Sequence, residues 1–533
     1  MRTALACLRS GWRLPLVGGA ALTAALLLNV FPLLRPQLLQ DDLQILARSV
    51  TWQSTAQNLL HPHNEHLMPP GRVTTRLLIA LAGRPTALPL GTSLQGVLAL
   101  LLGMLLVYFF VRRELNHPLY GVVAMALFGV SSVYQQAVFW FSASFSVLAL
   151  DTLLLALLAA QRWRQTGRFR HLTACALLCG LAPLWFATGV LTGPLCTLYL
   201  LGAERRRGLG WAAVPLLGSA AFLLVRLPPL TDHLLRLEPG QRRDVAGVFE
   251  LLTGLEYTAR SLVENLALGV LGIGGIDLPA AVIVPALLGL MAAAAWWWRG
   301  APGPLPLLGA GMVLGSYVLV YGSRGGEYSY TGVMNQPNWG RYHLLPQLGL
   351  ALFLCGGLPR WGGRWQLDPA GSLSARQTRR LLLLIAALFL IQLPRAVAVN
   401  GPHTLSPAEQ FARLRDDPAG WLRWAWEEWW HDPEREAQLA VLRRIEEVDA
   451  RCRRHRIAAD TARAALGWLD IPGCPVRENG WNLLRGSDDP LPRSVEEAHR
   501  LLTEPDHSPT GAPAGPPPES TPAPLSANRP RMP

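Results

Sequence analysis

The sequence predicts an all-α polytopic membrane protein of about eleven transmembrane helices, with a small helical domain outside the membrane. Three observations carry this. Half of the 533 residues are hydrophobic and only 16% are charged, where a soluble globular protein is about a quarter charged. The apolar residues come in long runs, near the roughly 20 residues that a membrane-crossing helix needs. The basic residues, all of them arginine, fall mostly between those runs.

The runs place spans at about 14–34, 88–111, 118–138, 141–160, 172–186, 189–203, 208–227, 278–298, 303–322, 342–358 and 381–399. The fifth and sixth share one run, divided by a turn near Trp185–Gly189 with Pro183 before it. One set of short loops carries Arg2, Arg9 and Arg13; Arg112 and Arg113; Arg162, Arg164, Arg168 and Arg170; Arg205, Arg206 and Arg207; Arg299; and Arg360, Arg364, Arg376, Arg379 and Arg380. The alternate loops are longer and sparser in arginine. By the positive-inside rule this puts the N-terminus in the cytoplasm and the C-terminus outside an inner (cytoplasmic) membrane. The first run is too long for a signal peptide and no clear cleavage site follows it, so it reads as an uncleaved anchor.

Composition also excludes chemistry. Without lysine there is no Walker A loop, no Schiff-base lysine and no pyridoxal-phosphate anchor. The net charge of +12 does not imply nucleic acid, because the arginines mark loops rather than one soluble basic face. The seven cysteines show no metal spacing. Cys175 and Cys179 sit four apart on one helix face and read as small packing residues. Cys452 and Cys474 lie in a polar region outside the cytoplasm, where a disulfide between them is chemically allowed.

The chain therefore divides into a membrane domain, 1–399, containing a first outer loop at 35–87, then an outer helical domain, 400–504, and a Pro-rich tail, 505–533, too polar to fold. A further outer region, 228–277, mixes acids with bases and ends in a Gly-rich stretch. In the outer domain, Ser406-Pro407-Ala408-Glu409 and Ser494-Val495-Glu496-Glu497 are capping-box patterns, and Asp432-Pro433 opens a long helix running to about Arg456. Trp421, Trp424, Trp426, Trp429 and Trp430 crowd one short stretch, either as a small core or as an interfacial anchor.

The first outer loop holds the chemistry. Its only acids are Asp41, Asp42 and Glu65, and His61, His63 and His66 surround the last of these. Leu43, Leu46, Ala47 and Val50 follow helical spacing, which predicts a helix lying on the bilayer. Val73 to Ala82, set off by Pro69-Pro70-Gly71, predicts a second one. Asp41 could simply cap the first helix. Two adjacent carboxylates repel one another, however, and a cap explains only one of them. Magnesium or manganese would prefer the carboxylates to the histidines.

An acidic pair directly after the first span, in a long outer loop with membrane-parallel helices, resembles the GT-C superfamily of integral membrane glycosyltransferases. That group includes protein O-mannosyltransferase-like and lipid A aminoarabinose-transferase-like enzymes. Two further stretches are similar: VFWFSASFSVLALDTLLLALLAA, with Trp140 at an outer turn, and WGRYHLLPQLGLAL, with Arg341-Tyr342 opening a span. The resemblance covers roughly 14–399. It departs from the family at Phe141-Ser142-Ala143-Ser144, where some members carry a second acidic motif. Here the nearest acid is Asp151, about two turns deeper. The departure weakens the expectation of a divalent cation, and no other cofactor is expected.

The resemblance implies transfer of a sugar from a polyprenyl-phosphate donor to a glycan, lipid or protein acceptor, with inversion. A carboxylate must take the acceptor proton and cations must stabilise the departing phosphate. The base is Asp41 or Asp42, the second less favoured because it would begin the helix. Arg341 and Tyr342, at the outer end of a span, are the donor-phosphate candidates. Arg324 is the weaker alternative, and simple snorkelling would also place an arginine there. Glu65 and His66 would orient the acceptor or hold a metal. Asp151, an ionisable group inside a span, is a functional candidate or a helix–helix hydrogen bonder. The competing readings are a transporter or flippase, with groups near the bilayer midplane, and a non-catalytic scaffold that tolerates loss of both aspartates.

Overall fold

A computed structural model describes residues 12–34, 36–38, 40–63, 66–203, 209–224, 248–273, 278–299, 303–324, 340–361, 373–400, 433–466 and 483–503. The described residues are helical, with no strand among them. Four helices are long and apolar enough to cross a membrane: Pro85–Glu114, Phe141–Thr166, Ala280–Trp298 and Leu305–Gly322. Shorter apolar helices cover Arg13–Leu28, Pro118–Gly129, Phe169–Trp185, Ala187–Gly202 and Gly210–Leu224.

In chain order the helices that matter begin with α1 (Arg13–Leu28), then three in the first loop: α2 (Gln40–Ala47), α3 (Trp52–Gln57) and α4 (Pro69–Ala82). The helical layer continues with α5 (Leu88–Glu114), α6 (Pro118–Gly129), α7 (Phe141–Thr166), α8 (Phe169–Trp185) and α9 (Thr192–Ala203). After α10 (Val248–Arg260) come α11 (Ala280–Trp298), α12 (Leu305–Arg324), α13 (Leu344–Gly357) and α14 (Ala375–Asn400). The tail supplies α15 (Pro433–His455), α16 (Ala459–Leu466) and α17 (Val495–Thr503).

Local chemistry sets the boundaries. Proline at the first position opens α4 and α6, where its missing N–H would have no intrahelical partner anyway. Arg112 and Arg113 end α5, favourably placed against the helix dipole. Gly167, at φ 65°, closes α7 in the left-handed conformation. The shared run of α8 and α9 divides at Phe186, where extended backbone leads into a short 3-10 turn, Ala187–Leu191. This is the break that the sequence places near Trp185–Gly189. Contact between α12 and α13 depends on two glycines: a Cβ at Gly309 would lie 2.3 Å from the Gly349 carbonyl oxygen. Small residues of this kind let membrane helices approach closely.

Helix α7 is the centre, buried along most of its length and packed between α5 and α8. Its last turns are fixed by charge. Glu114 accepts from Gln161 at 2.9 Å, from Arg164 at 3.0 Å and from the Tyr199 hydroxyl at 2.5 Å, tying α5, α7 and α9 together. In contrast, α11 is almost wholly exposed, with Val282, Val284, Leu288, Met291 and Trp296 turned outward. Such a face is suited to lipid.

The first loop and the tail share one core, which corrects the picture of α2 lying on the bilayer. Leu43, Leu46 and Val50 are buried with Met68, Ile79, Phe141 and Phe145, in a cluster that also takes in Val441, Leu442, Ile445 and Leu484 of the tail. The helical spacing of these residues is correct; their cover is protein. Helix α4 is mixed: Thr75 and Ile79 face inward, while Val73, Leu77 and Leu81 are exposed. It also begins at Pro69, so the prolines open the helix rather than precede it.

Docking of the tail is specific. Gln438 Oε1 accepts from Leu38 N at 2.9 Å, and Gln438 Nε2 donates to Leu38 O at 2.6 Å. The Thr86 hydroxyl donates to Glu446 at 2.7 Å, and Arg485 donates to Ile79 O at 3.0 Å. Loop and tail therefore pack directly against each other. Gln438→Leu would leave the buried Leu38 N–H and C=O without partners, loosening the docking by about 2 kcal/mol. The expected readout is proteolysis of the tail accelerated about 10-fold or more, with α1–α14 intact.

Within the tail, buried Asp449 accepts from Arg485 N and Gly486 N at 3.0 and 2.9 Å and pairs with Arg453 at 2.7 Å. Ser494 caps α17 through Glu497 N at 3.1 Å, as its sequence predicts. Cys452 is a fully buried thiol in this core, with no disulfide to another described residue. Burial, reinforced by Asp449, raises its pKa to about 11, which makes it unreactive. Cys474, Ser406 to Glu409, the tryptophan-rich stretch, Asp432 and residues 505–533 lie outside the described residues.

Candidate functional site

The site forms around the first turn of α7. A helix start leaves its N–H groups without intrahelical acceptors, and Trp140, the residue at the cap, supplies no side-chain acceptor. The acceptor comes from the first loop: Ser142 N donates to Asp42 Oδ1 at 2.8 Å. Asp42 is fully buried, so its carboxylate is fixed against the positive end of α7, where charge and dipole attract. Asp41 is half-buried in the same first turn of α2. It therefore lies within its helix rather than at the cap, and the second carboxylate caps a different helix. The adjacent pair is thus divided between two environments.

Beside that helix end lies a cleft with about 540 Å³ of atom-free space, counting its open mouth. Ala143, Ser146 and Leu150 of α7, Phe186 to Gly189 excepting Ala187, Thr192 of α9, Ser316 and Val320 of α12, and Arg341 and Tyr342 line it. Arg341 sits in a 3-10 turn, Gly340–His343, that leads into α13. Its guanidinium lies 4.4 Å from the centre of the Trp140 ring and 5.0 Å from that of Tyr342. Its Nη2 donates to the Tyr342 hydroxyl at 3.2 Å. A planar cation stacked on two rings is held in a fixed orientation.

His66, from the loop, packs against the wall of this cleft at Phe186. It stacks on Phe186 at 3.9 Å, and Ala187 N donates to its Nδ1 at 3.4 Å. Arg341 and Tyr342 thus line the cleft, His66 packs on Phe186 of its wall, and Asp42 caps the helix that borders it. Glu65 lies outside the described residues, as does the side chain of Arg324 at the end of α12.

Three groups are not evident from the sequence. Arg72 of α4 is the largest fully buried side chain among the described residues. Its Nη1 donates to Ile45 O of α2 at 3.4 Å, one turn after the acid pair, while Nε and Nη2 have no partner among the described residues. No carboxylate pairs with it among the described residues. Burial, and then repulsion from Arg48, lowers its pKa to about 10. His343, also fully buried, meets the Tyr317 hydroxyl at 2.9 Å just behind Tyr342. Glu264, in a π-helical turn at Ser261–Ala267, pairs with Arg260 at 2.9 Å. Such turns concentrate at functional places.

Asp151 is buried in α7, with neither carboxylate oxygen hydrogen-bonded among the described residues. It abuts α5 at Gly103, where a Cβ would lie 2.7 Å from Oδ1. Of the two roles open to it from sequence, helix–helix hydrogen bonding is the one without a partner here. Magnesium or manganese would need an oxygen-rich ligand set. Among the described residues no three histidine, aspartate or glutamate side chains converge near the acid pair. His63 and His66 instead close a backbone-paired turn, with N–H to O distances of 2.8 and 2.9 Å, and His61 faces Arg48.

Comparison with protein-family models finds no match to this chain, and comparison with curated proteins finds no significant match either.

Proposed function

We propose that the chain is an integral membrane glycosyltransferase of GT-C type, spanning an inner membrane about eleven times with the first loop and tail outside. It would move a sugar from a polyprenyl-phosphate donor to an acceptor hydroxyl or amine. The observation that supports this best is the division of labour at the start of α7. One carboxylate, Asp42, is buried against the helix end. The other, Asp41, is half-exposed next to it in sequence, and the helix that Asp42 caps borders a cleft carrying a stacked arginine.

In this reading Asp41 takes the proton from the acceptor as its oxygen or nitrogen attacks the anomeric carbon from the face opposite the phosphate. The bond between that carbon and the phosphate oxygen breaks, and the sugar inverts. The electron pair leaves with polyprenyl phosphate, whose growing charge is met by Arg341 and Arg72. Arg72 is suited to this because a buried guanidinium without a counter-ion is costly until an anion arrives. Phe186 and His66 offer ring faces against which a sugar can pack.

The unpartnered Asp151 favours a second reading, transport of a lipid-linked substrate, since buried ionisable groups mark translocation paths. Binding of the lipid phosphate is common to both. Polyprenyl phosphate added to purified protein is expected to raise its unfolding midpoint. Arg341→Ala should lower the apparent affinity about 10-fold or more. An unchanged affinity removes Arg341 from the site.

A further inference from the structure

We propose that Cys175, Cys179 and Cys196 form a trithiol site for a soft monovalent metal ion of the Cu(I) type, independently of the transfer reaction. Helix α8 sets Cys175 and Cys179 one turn apart on one face. Helix α9 returns across the Ala187–Leu191 turn and brings Cys196 to the same point. The three sulfur atoms all lie within 4.8 Å of one another, and all three residues are fully buried. A trigonal ion with bonds of about 2.3 Å would hold its sulfurs about 4.0 Å apart, within the reach of this group.

Charge selects the ion. Zinc favours four ligands, and among the described residues the group offers three, with no histidine or carboxylate joining them. A divalent ion would also need two thiolates to be neutral. Inside a helical layer net charge is penalised. A monovalent ion balances with one thiolate and two thiols: the ion enters, one S–H proton leaves, and no electron is transferred. Thiol ligands select Cu(I) among common ions. Cys355 supplies the contrast. It is equally buried, but its neighbour is the Tyr120 carbonyl at 4.0 Å, an isolated packing position. An ion bridging α8 and α9 would clamp the hairpin whose turn carries Phe186, Thr188 and Gly189 into the cleft wall.

The test is anaerobic titration of the reduced, purified full chain with Cu(I) held by a chromophoric chelator such as bicinchoninate. The wild type is expected to take one equivalent from the chelator and to gain in unfolding midpoint. Cys196→Ser and the volume-conserving Cys179→Val should each lose both effects, and Cys355→Ala should keep them. Equal uptake by the wild type and the two site variants, or no uptake by the wild type, overturns the proposal. So does a wild-type mass two hydrogens lower with no Cu(I) bound, which would make the trio a disulfide-forming group instead.

Discussion

Asp41→Asn is expected to reduce sugar transfer by about 100-fold to 10,000-fold, the range for loss of a positioned base, while leaving the unfolding midpoint unchanged. Asp42→Ala should do the reverse first. It strands Ser142 N, which now donates to Asp42 at 2.8 Å, and removes a negative charge from the positive end of α7. A lost charge-assisted hydrogen bond to a buried donor is worth about 2–3 kcal/mol. The midpoint should therefore fall by several degrees, and activity should fall with it as α7 loses its fixed start. Asp42→Asn, which keeps an oxygen acceptor, should recover part of that stability. If the two aspartates behave alike, the division of roles read from their burial is wrong.

Arg72→Met is expected to move stability and activity in opposite directions. The substitution keeps most of the side-chain volume and removes a buried cation that has no carboxylate partner among the described residues. Replacing buried charge with apolar packing commonly stabilises by about 1–4 kcal/mol, so the midpoint should rise. Loss of the cation proposed to meet the lipid phosphate should lower kcat/KM for the lipid donor by about 100-fold or more. A structural arginine would show the opposite sign for stability, and a rim arginine would show neither effect. Chemical unfolding and steady-state kinetics on the same preparation separate the three cases.

The sequence makes legible what depends on local spacing. The break between α8 and α9 falls where the sequence places it, just past Pro183: the proline sits in the last turn of α8, and the extended residue is Phe186. The placement of Asp41-Asp42 in a loop helix and of Arg341 at the start of an apolar helix follows from the same run lengths. What is not legible depends on which surface covers which. The spacing of Leu43, Leu46 and Val50 reads as one apolar face, but nothing nearby says that its cover is a tail some 400 positions on in sequence, pinned at Leu38 by Gln438. The same cover explains Arg72. In PPGRVTTRLLIALA it shares a face with Thr75 and Ile79 and would pass for the polar side of an interfacial helix. Closure of the loop over α7 turns that side inward. Cys196 is likewise invisible as a partner of Cys175 and Cys179 until the hairpin folds back: sixteen residues lie between it and Cys179, yet the three sulfurs lie within 4.8 Å of one another.

Release of polyprenyl phosphate is the most direct measure of the central claim. Purified wild type and Asp41→Asn, in identical lipid nanodiscs, would be given a polyprenyl-phosphate-linked sugar with and without a hydroxyl or amine acceptor, and the freed lipid phosphate quantified. A transferase frees it when acceptor is present, with the sugar recovered on the acceptor in inverted configuration, and the variant is slower by at least about 100-fold. Donor that remains intact in every panel of sugars and acceptors, or release at equal rates by wild type and Asp41→Asn, would contradict the assignment.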